Sequence, residues 1–424
     1  RAAFDKGDWS RMAPMDRKMG LVRWAELIEH HADDLARLEG LDVGKPISAT
    51  TNVDVPATVR TIRWSGEAID KVYDEISPTP HNTLALVQRL PLGVVAAIVP
   101  WNFPLSTTAW KLAPSLATGN SVVLKPASST PLSALFIAGL ASEAGLPDGV
   151  LQVLPGPGGS LGRHLALHMD IDGLTFTGST PVGKMLMEYS GQSNLKRTFL
   201  ELGGKSPNIV FADANLDKAA AMAAVAVFYN GGQTCTAGTR LIVEDKIQYR
   251  FLDKVLEHAK NWMPGNPLDP STAMGPMIDA GQCESVAEYI DIGKREGAEL
   301  LFGGRTIMRD TGGHYHEPSI FGRVNNRMRI AREEIFGPVL SVLSFRTPEE
   351  AVAIANDSIY GLAGAVWSNN INTAHKVADA VRVGTMGINN YFGGDITVPF
   401  GGFKQSGNGR DKSIHAFHDY TELK

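Results

Sequence analysis

A chain of 424 residues with 43% hydrophobic and 20% charged residues has globular composition and the length for two ordinary domains, which excludes a disordered or low-complexity protein. A net charge of -5 and a pI near 6.1 give no basic face for a phosphate backbone, so no nucleic-acid partner is expected. Two cysteines cannot build a disulfide framework and fit a reducing, cytoplasmic location.

The first element is a helical pattern over Met15–Glu39, reached from Arg1 rather than from an initiator Met. Residues are therefore expected before it, and targeting signals stay open. Pro78-Thr79-Pro80 and the apolar-polar alternation of Thr83–Leu90 predict a hairpin arm outside the first sheet, of the kind that pairs with another subunit. From residue 94, β-branched runs alternate with helical stretches about every 25 residues, the pattern of βα units in a parallel sheet. Strands are expected at Val94–Val99, Ser121–Lys125, Val150–Leu154, Gly173–Thr177 and Thr198–Leu202. Helices are expected at Ser106–Ala117, Pro131–Ala144, Ser160–His168 and Thr180–Tyr189, the last capped by Thr180 ahead of Pro181.

Gly203-Gly204 suits a domain junction. A second α/β series follows: Asn208–Phe211, the helix Leu216–Phe228, Leu241–Val243, the helices Lys246–Trp262 and Gly281–Glu296, Val339–Phe345, Pro348–Asn356, Gly364–Trp367, the helix Asn372–Val381 and Gly384–Ile388. The longest apolar stretch, Ala219–Tyr229, is too short to span a bilayer, and no membrane segment is expected.

Chemistry concentrates at strand ends and glycine-rich loops. Cys235 stands in Asn230-Gly231-Gly232-Gln233-Thr234-Cys235-Thr236, where bare backbone allows close approach and a small buried hydrophobe is the competing reading. The other cysteine, Cys283, lies in a periodic helix and reads as structural. Glu201 closes an apolar strand before Leu202-Gly203-Gly204, at the strand end where ligands bind in open α/β sheets. Buried there, it would act as a general base; exposed, it is only a strand-end charge. Asn102, in Pro100-Trp101-Asn102-Phe103-Pro104, offers an amide donor suited to an oxyanion, although a rigid turn looks the same.

Lys125, at another strand end, is placed to meet a ribose hydroxyl or phosphate, or is merely solvated. Gly178-Ser179-Thr180-Pro181-Val182-Gly183-Lys184-Met185 fails as a P-loop at Met185, which has no hydroxyl for Mg²⁺, but remains a helix-opening anion site. Gly156-Pro157-Gly158-Gly159-Ser160 misses the dinucleotide fingerprint at Leu161, and Pro399–Gly407 is compatible with a pocket wall. The 11 histidines show no metal-ligand spacing, so no catalytic metal is expected.

Pro100-Trp101-Asn102, Lys125-Pro126-Ala127, Phe176-Thr177-Gly178-Ser179, Glu201-Leu202-Gly203-Gly204-Lys205, Gly232-Gln233-Thr234-Cys235, Glu333-Glu334-Ile335-Phe336-Gly337-Pro338 and Pro399-Phe400-Gly401-Gly402 occur in order across nearly the whole chain. The ordered set resembles the aldehyde dehydrogenase superfamily. That resemblance implies a two-domain α/β fold: a parallel-sheet, Rossmann-type NAD(P)-binding domain (1–73 and 93–203), an α/β catalytic domain (204–403) and a small oligomerisation arm (74–92 and 404–424). It also implies a homo-oligomer, a dimer or tetramer, and a final strand after Lys424 that this chain does not carry.

The resemblance further implies that Cys235 attacks an aldehyde as thiolate while Asn102 and the Cys235 N–H hold the oxyanion. Hydride passes to a nicotinamide, and Glu201 activates the water that hydrolyses the thioester to a carboxylic acid. Lys111 and Asp411 match positions around a proton path from the glutamate, the aspartate being shorter than the usual residue. The cofactor positions implied are Ile98, Pro100, Trp101, Lys125, Ser128, Gly158, Gly178, Ser179, Glu334 and Phe336. Ser128 replaces a glutamate found in many NAD-selective members, so NAD with tolerance of NADP is expected.

By family position, Phe103, Trp110, Tyr229, Thr234, Thr236 and Phe400 line the aldehyde tunnel, with Tyr391, Phe392 and Asp395 at its mouth. Aromatic walls and a carboxylate favour an ω-amino or guanidino aldehyde. The stretch Asn389–Ser413 resembles the subgroup acting on polyamine-derived aldehydes such as putrescine products, including γ-glutamyl-γ-aminobutyraldehyde dehydrogenases. A broad-range aliphatic enzyme, a coenzyme-A-acylating relative and a structural protein of enzyme ancestry are the alternatives.

Overall fold

Val, Ile and Ala runs between helices close into two mainly parallel sheets in this computed structural model, which describes residues 1–392 and 394–424. Gly393, within the stretch assigned to the polyamine-related subgroup, lies outside the described residues. The first sheet consists of β1 (Val94–Ile98), β2 (Ser121–Lys125), β3 (Leu151–Val153), β4 (Gly173–Thr177) and β5 (Arg197–Glu201), in the order β3-β2-β1-β4-β5. All pairs are parallel. The chain runs outward from β1 to β2 and β3, then returns to add β4 and β5 on the other side. The order therefore reverses between β1 and β4, and a crevice opens beyond the carboxyl ends of those strands.

The second sheet contains β6 (Pro207–Val210), β7 (Arg240–Glu244), β8 (Glu299–Phe302), β9 (Ser319–Gly322), β10 (Val339–Phe345), β11 (Ala363–Trp367) and β12 (Thr385–Ile388), in the order β8-β9-β10-β7-β6-β11-β12. Only β8 runs antiparallel, against β9. The edge strand β8 and its neighbour β9 are additions to the sequence reading: Glu299-Leu300-Leu301-Phe302 continues the apolar pattern of the preceding helix, and Ser319–Gly322 holds only two apolar residues. Helices pack on both faces, so the central strands are buried throughout and read as continuous apolar runs.

Other boundaries moved for local reasons. The helical pattern of Met15–Glu39 divides at His31 into α1 (Pro14–His30) and α2 (Ala32–Val43). It is followed by α3 (Val55–Ala68), which packs against α1 and against α4 (Pro104–Ala117). The region Ser160–His168 is a widened turn at Gly158–Gly162 followed by a short helix, Arg163–Leu167. The cap of the helix at Thr180–Gln192 is Ser179 rather than Thr180, whose hydroxyl instead donates to the Gln405 carbonyl at 3.2 Å.

The first sheet ends at Glu201 and the second begins at Pro207, on either side of Gly203-Gly204. In the arm, Glu75–Ser77 pairs with Ala85–Val87, and Arg89–Pro91 pairs with Thr421–Leu423. Much of 404–419 packs on the domains instead: Phe417 enters the first core beside Trp64, and Asn408 Oδ1 accepts the Leu200 amide at 3.0 Å.

Candidate active site

The helix Leu216–Phe228 leads into a chain reversal built from three consecutive left-handed residues, Asn230, Gly231 and Gly232. At Gly232, φ is +70°, and a Cβ would lie 2.1 Å from the Gly337 carbonyl oxygen. Only glycine meets both conditions. Reciprocal amides then lock the Cys235 loop to the Pro100–Pro104 loop. Asn102 Nδ2 donates to the Gln233 carbonyl at 2.9 Å, and Asn230 Nδ2 donates to the Asn102 carbonyl at 3.0 Å. The Gln233 Oε1 accepts the Ile278 amide at 2.9 Å. An amide nitrogen carries two donors, so Asn102 keeps one for the cavity.

Glu201, at the end of β5, is 2% exposed, and its carboxylate oxygens have no strong hydrogen-bond donor, only the weak one of the Cys235 thiol nearby. Burial is the main cause that pushes its pKa up to about 8; Lys111 opposes the rise, and Asp411 adds to it. The Cys235 thiol is raised well above its ordinary value, first by burial and then by the fields of Glu201 and Glu334. Both shifts favour the protonated thiol, and Glu201 is the neighbouring group whose basic form could receive its proton. The close approach depends on missing side chains, since a Cβ on Gly204 would sit 2.4 Å from the Cys235 carbonyl oxygen.

Behind Glu201, Lys111 Nζ donates to Asp411 Oδ1 at 2.9 Å and Oδ2 at 2.6 Å, with 2% and 5% of the two side chains exposed. The shorter aspartate therefore reaches the lysine with both oxygens. Phe400 and Asp411 exchange both backbone hydrogen bonds at 2.7 Å, which fixes this reach. Breaking a buried pair strands the remaining charge, so Asp411→Asn is expected to destabilise the protein by about 3 kcal/mol or more. Thermal and urea melts check this, and an unchanged midpoint would contradict it.

The cofactor positions gather along the crevice. Ile98 and Lys125 are register partners at the carboxyl ends of β1 and β2. Lys125 is 3% exposed, donates to the Pro126 carbonyl at 2.9 Å and is held below its usual range by burial. Ser128 Oγ donates to the Gly156 carbonyl at 2.8 Å, while Gly158 is exposed. Ser179 caps its helix without a side-chain hydrogen bond, leaving the first-turn N–H groups open to an anion. Glu334 is pushed up to about 7 by burial and accepts the Gly204 amide at 3.0 Å. A Cβ on Gly203 would lie 2.0 Å from Glu334 Oε2. Trp101 meets Phe336 edge-on with centroids 5.3 Å apart. An open helix start, a bare-backbone floor, a half-buried carboxylate and a buried ammonium together fit a dinucleotide.

One cavity of about 630 Å³ joins these groups. Pro100, Trp101, Asn102, Gly178, Ser179, Glu201, Cys235, Glu334 and Phe336 line it, as do the expected tunnel residues Phe103, Trp110, Tyr229, Thr234, Thr236 and Phe400. Phe103 stacks with Tyr229 at 6.3 Å, and Trp110 tilts against Phe400 at 5.0 Å. Tyr229 OH and Thr234 Oγ1 are buried without partners, which leaves two polar atoms facing an apolar tunnel. Ile98, Lys111, Lys125, Ser128, Gly158 and Asp395 stand outside the cavity wall. Asp395 is exposed and accepts the Thr397 amide at 3.1 Å, next to Gly394, which does line the cavity. Tyr391 is buried, its hydroxyl donating to the Thr236 carbonyl at 2.7 Å, so it supports the Cys235 loop rather than the mouth.

Several lining groups lie outside the sequence reading, and two of them organise the wall. Gln282, on the helix Ala280–Arg295, donates through Nε2 to the carbonyls of Ile335 at 3.1 Å and Phe336 at 2.8 Å and so holds the Glu334–Phe336 loop. Asp54 lines the tunnel from just before α3, paired with Lys45 at 2.8 Å; Lys45 Nζ in turn lies 3.7 Å from the Phe103 ring centroid. The signal for Gln282 was available in its helical periodicity, but Asp54 has no local motif. Among the described residues, no group of three or more His, Cys, Asp or Glu side chains is arranged for a metal, and no helix is long and apolar enough to cross a membrane.

Comparison with known proteins agrees with this geometry. The profile of the "Aldehyde dehydrogenase family" matches residues 1–424. The "NADP/NAD-dependent aldehyde dehydrogenase PuuC" of Escherichia coli (strain K12) is 52% identical over 425 residues, covering 100% of this chain and 85% of that protein. A crystal structure of indole-3-acetaldehyde dehydrogenase complexed with NAD+ superposes with a TM-score of 0.99 at 60% identity, covering 100% of this chain and 86% of that one. The γ-glutamyl-γ-aminobutyraldehyde dehydrogenase of Burkholderia cenocepacia J2315 gives 0.98 at 55% identity, with the same coverage. The chain belongs to the aldehyde dehydrogenase family and is an NAD(P)-dependent oxidoreductase.

Proposed function

We propose that the protein oxidises an amino-derived aldehyde, of the ω-amino, γ-glutamylamino or guanidino class, to its carboxylic acid. The observation that carries the chemistry is the convergence of Cys235, Glu201 and Asn102 on one cavity. Glu201 takes the Cys235 proton, and the sulfur adds to the aldehyde carbon. The free Asn102 N–H and the Cys235 backbone N–H hold the oxygen as its negative charge develops. Lys125, Ser179, Glu334 and Phe336 would hold a nicotinamide dinucleotide, which when bound supplies the hydride acceptor. Loss of hydride from the carbon leaves an acyl group on Cys235. Glu201 then removes a proton from water, whose oxygen attacks that acyl carbon and releases the acid. Glu201 gives up each proton to solvent water, the one from Cys235 before the thioester is attacked and the one from the attacking water before the next turnover, in the field of the Lys111–Asp411 pair.

Ser128 supports tolerance of NADP, because a neutral hydroxyl does not repel a 2′-phosphate. Aromatic walls with Asp395 at the rim support an amino-derived substrate, and the names of the similar PuuC and Burkholderia proteins agree with that class. Exposed Ile76, Leu84, Leu86 and Leu423 on the arm support assembly with further copies, and the unpaired cysteines fit a cytoplasmic setting. A kcat/KM panel of amino, guanidino and plain aliphatic aldehydes with both cofactors tests the reading. Preference for amino-derived chains and measurable turnover with NADP are expected. Equal rates on plain chains would reassign the enzyme as a broad-range aliphatic dehydrogenase.

A further inference from the structure

Asp395 is not the only charge at the tunnel mouth. Lys412 places Nζ 5.7 Å from the Trp110 ring centroid and 6.0 Å from that of Phe400, two walls of the cavity. The same ammonium would lie 3.6 Å from a Cβ built on Gly394, a third lining residue. Its position is held by uncommon backbone: Lys412 and Ser413 are consecutive non-glycine residues with φ of 63° and 54°. Left-handed side-chain-bearing residues are costly and persist where the surroundings over-determine them. The Ser413 amide donates to the Ile396 carbonyl at 2.7 Å, tying this strained turn to the Asp395 loop.

A second cation approaches from α3. Val53, Asp54 and Ala57 line the cavity, and Arg60 lies one helical turn beyond Ala57 on the same face. The fields of Arg60 and Lys412 both reach Asp395 and favour its charged form, after the stronger effect of the Thr397 amide. Lys412 itself feels Asp395, Asp411 and Arg60, against a larger lowering by burial. Among the described residues, neither Arg60 nor Lys412 lies within ion-pair distance of a carboxylate. Asp411, adjacent to Lys412, is already committed to Lys111. The rim thus holds two cations for one free carboxylate, an excess of positive charge that disfavours a purely cationic tail.

We propose that Lys412, assisted by Arg60, binds a carboxylate at the end of the substrate remote from the aldehyde, while Asp395 binds an ammonium beside it. The mouth then recognises an α-amino-acid group, and among amino-derived aldehydes it selects the γ-glutamylamino class. This rests on the amino-derived reading above. Trp110 and Phe400 supply the apolar stretch between this rim and Cys235, and their ring faces also shield the Lys412 charge from water, which strengthens its attraction for an anion.

The test uses two aldehydes that differ only in the carboxylate, 4-(γ-glutamylamino)butanal and 4-(4-aminobutanoylamino)butanal. The unmodified enzyme is expected to favour the first by about fivefold or more in kcat/KM, the scale of one partly exposed ion pair. Lys412→Met is expected to remove that preference through a higher KM, and Lys412→Arg to retain it. Persistence of the preference in Lys412→Met, or its loss in Lys412→Arg with KM no worse than in Lys412→Met, would overturn the proposal. A second pair, 6-oxohexanoate and hexanal, separates the two failures. If amino-derived chains have no advantage but Lys412→Met still abolishes a preference for 6-oxohexanoate, carboxylate recognition stands and the amino-derived reading falls.

Discussion

Cys235→Ser is expected to lower the rate of NADH formation from any aldehyde on the order of 10⁴-fold or more, because nucleophile, base and oxyanion donor act as a unit. A serine hydroxyl in the same setting faces a carboxylate whose pKa is about 8, far too weak a base for an alkoxide. Cofactor affinity, read by quenching of intrinsic fluorescence on adding NAD, should change little, since the positions expected to hold it lie on other loops. A Cys235→Ser protein that kept oxidising aldehydes at a comparable rate would remove the thiol from the chemistry. The second cysteine offers an internal control: Cys283 packs in the helix Ala280–Arg295 with 5% exposure, and Cys283→Ala should leave the rate law intact.

Glu201→Gln is the other large effect, and it divides the reaction in two. Amide nitrogen and oxygen occupy the same space but cannot take a proton from water, so steady-state turnover is expected to fall about 10²- to 10⁴-fold. Residual thiolate still reacts at high pH, so a single-turnover release of NADH should survive better than steady turnover does. The pH profile carries the sign. Burial raises Glu201 to about 8, so its basic form increases through that pH, and the unmodified enzyme should gain activity as pH rises toward and past 8. The glutamine variant should lose that limb. Stability runs the opposite way. Between the ordinary 4.5 and about 8 the folded protein keeps a proton that the unfolded chain has released, so this group lowers stability as pH rises across that window. The thermal midpoint of Glu201→Gln should therefore exceed that of the unmodified protein by more at pH 9 than at pH 5.

The candidate site was legible because its residues announce themselves locally. Cys235 sits among glycines that adopt a left-handed reversal, Glu201 closes a continuous apolar strand, and Asn102 lies between two prolines after another strand. Each signal spans a few residues and reports a strand-end position, which in a parallel sheet is the ligand side. The core strands of both sheets were legible for the same reason, since burial on both faces leaves uninterrupted Val, Ile and Ala runs. What escaped was non-local. Asp54 reaches the tunnel only because α3 packs across α4, and its partner Lys45 is set by the ring of Phe103, more than fifty residues away. The strand Glu299–Phe302 runs on from the apolar pattern of the preceding helix, and Ser319–Gly322 holds only two apolar residues between a serine and a glycine. Lys412 reaches the mouth through a backbone conformation that its residue type does not favour, and no sequence pattern encodes that.

This division explains why the reaction is better determined than the substrate. Reaction chemistry depends on groups whose placement follows from strand ends, whereas the proposed selectivity depends on a rim assembled from α3, the Gly394–Phe400 segment and the Lys412 turn. Under the proposal above, charge balance at that rim, rather than the presence of one carboxylate, decides which tail is accepted.

The most direct test of the account is the mass of Glu201→Gln protein quenched after mixing with aldehyde and NAD. A gain equal to the acyl group, carried on the peptide that contains Cys235, is the predicted result. Unshifted protein during sustained NADH production, or an acyl group found on Cys283 instead, would contradict it.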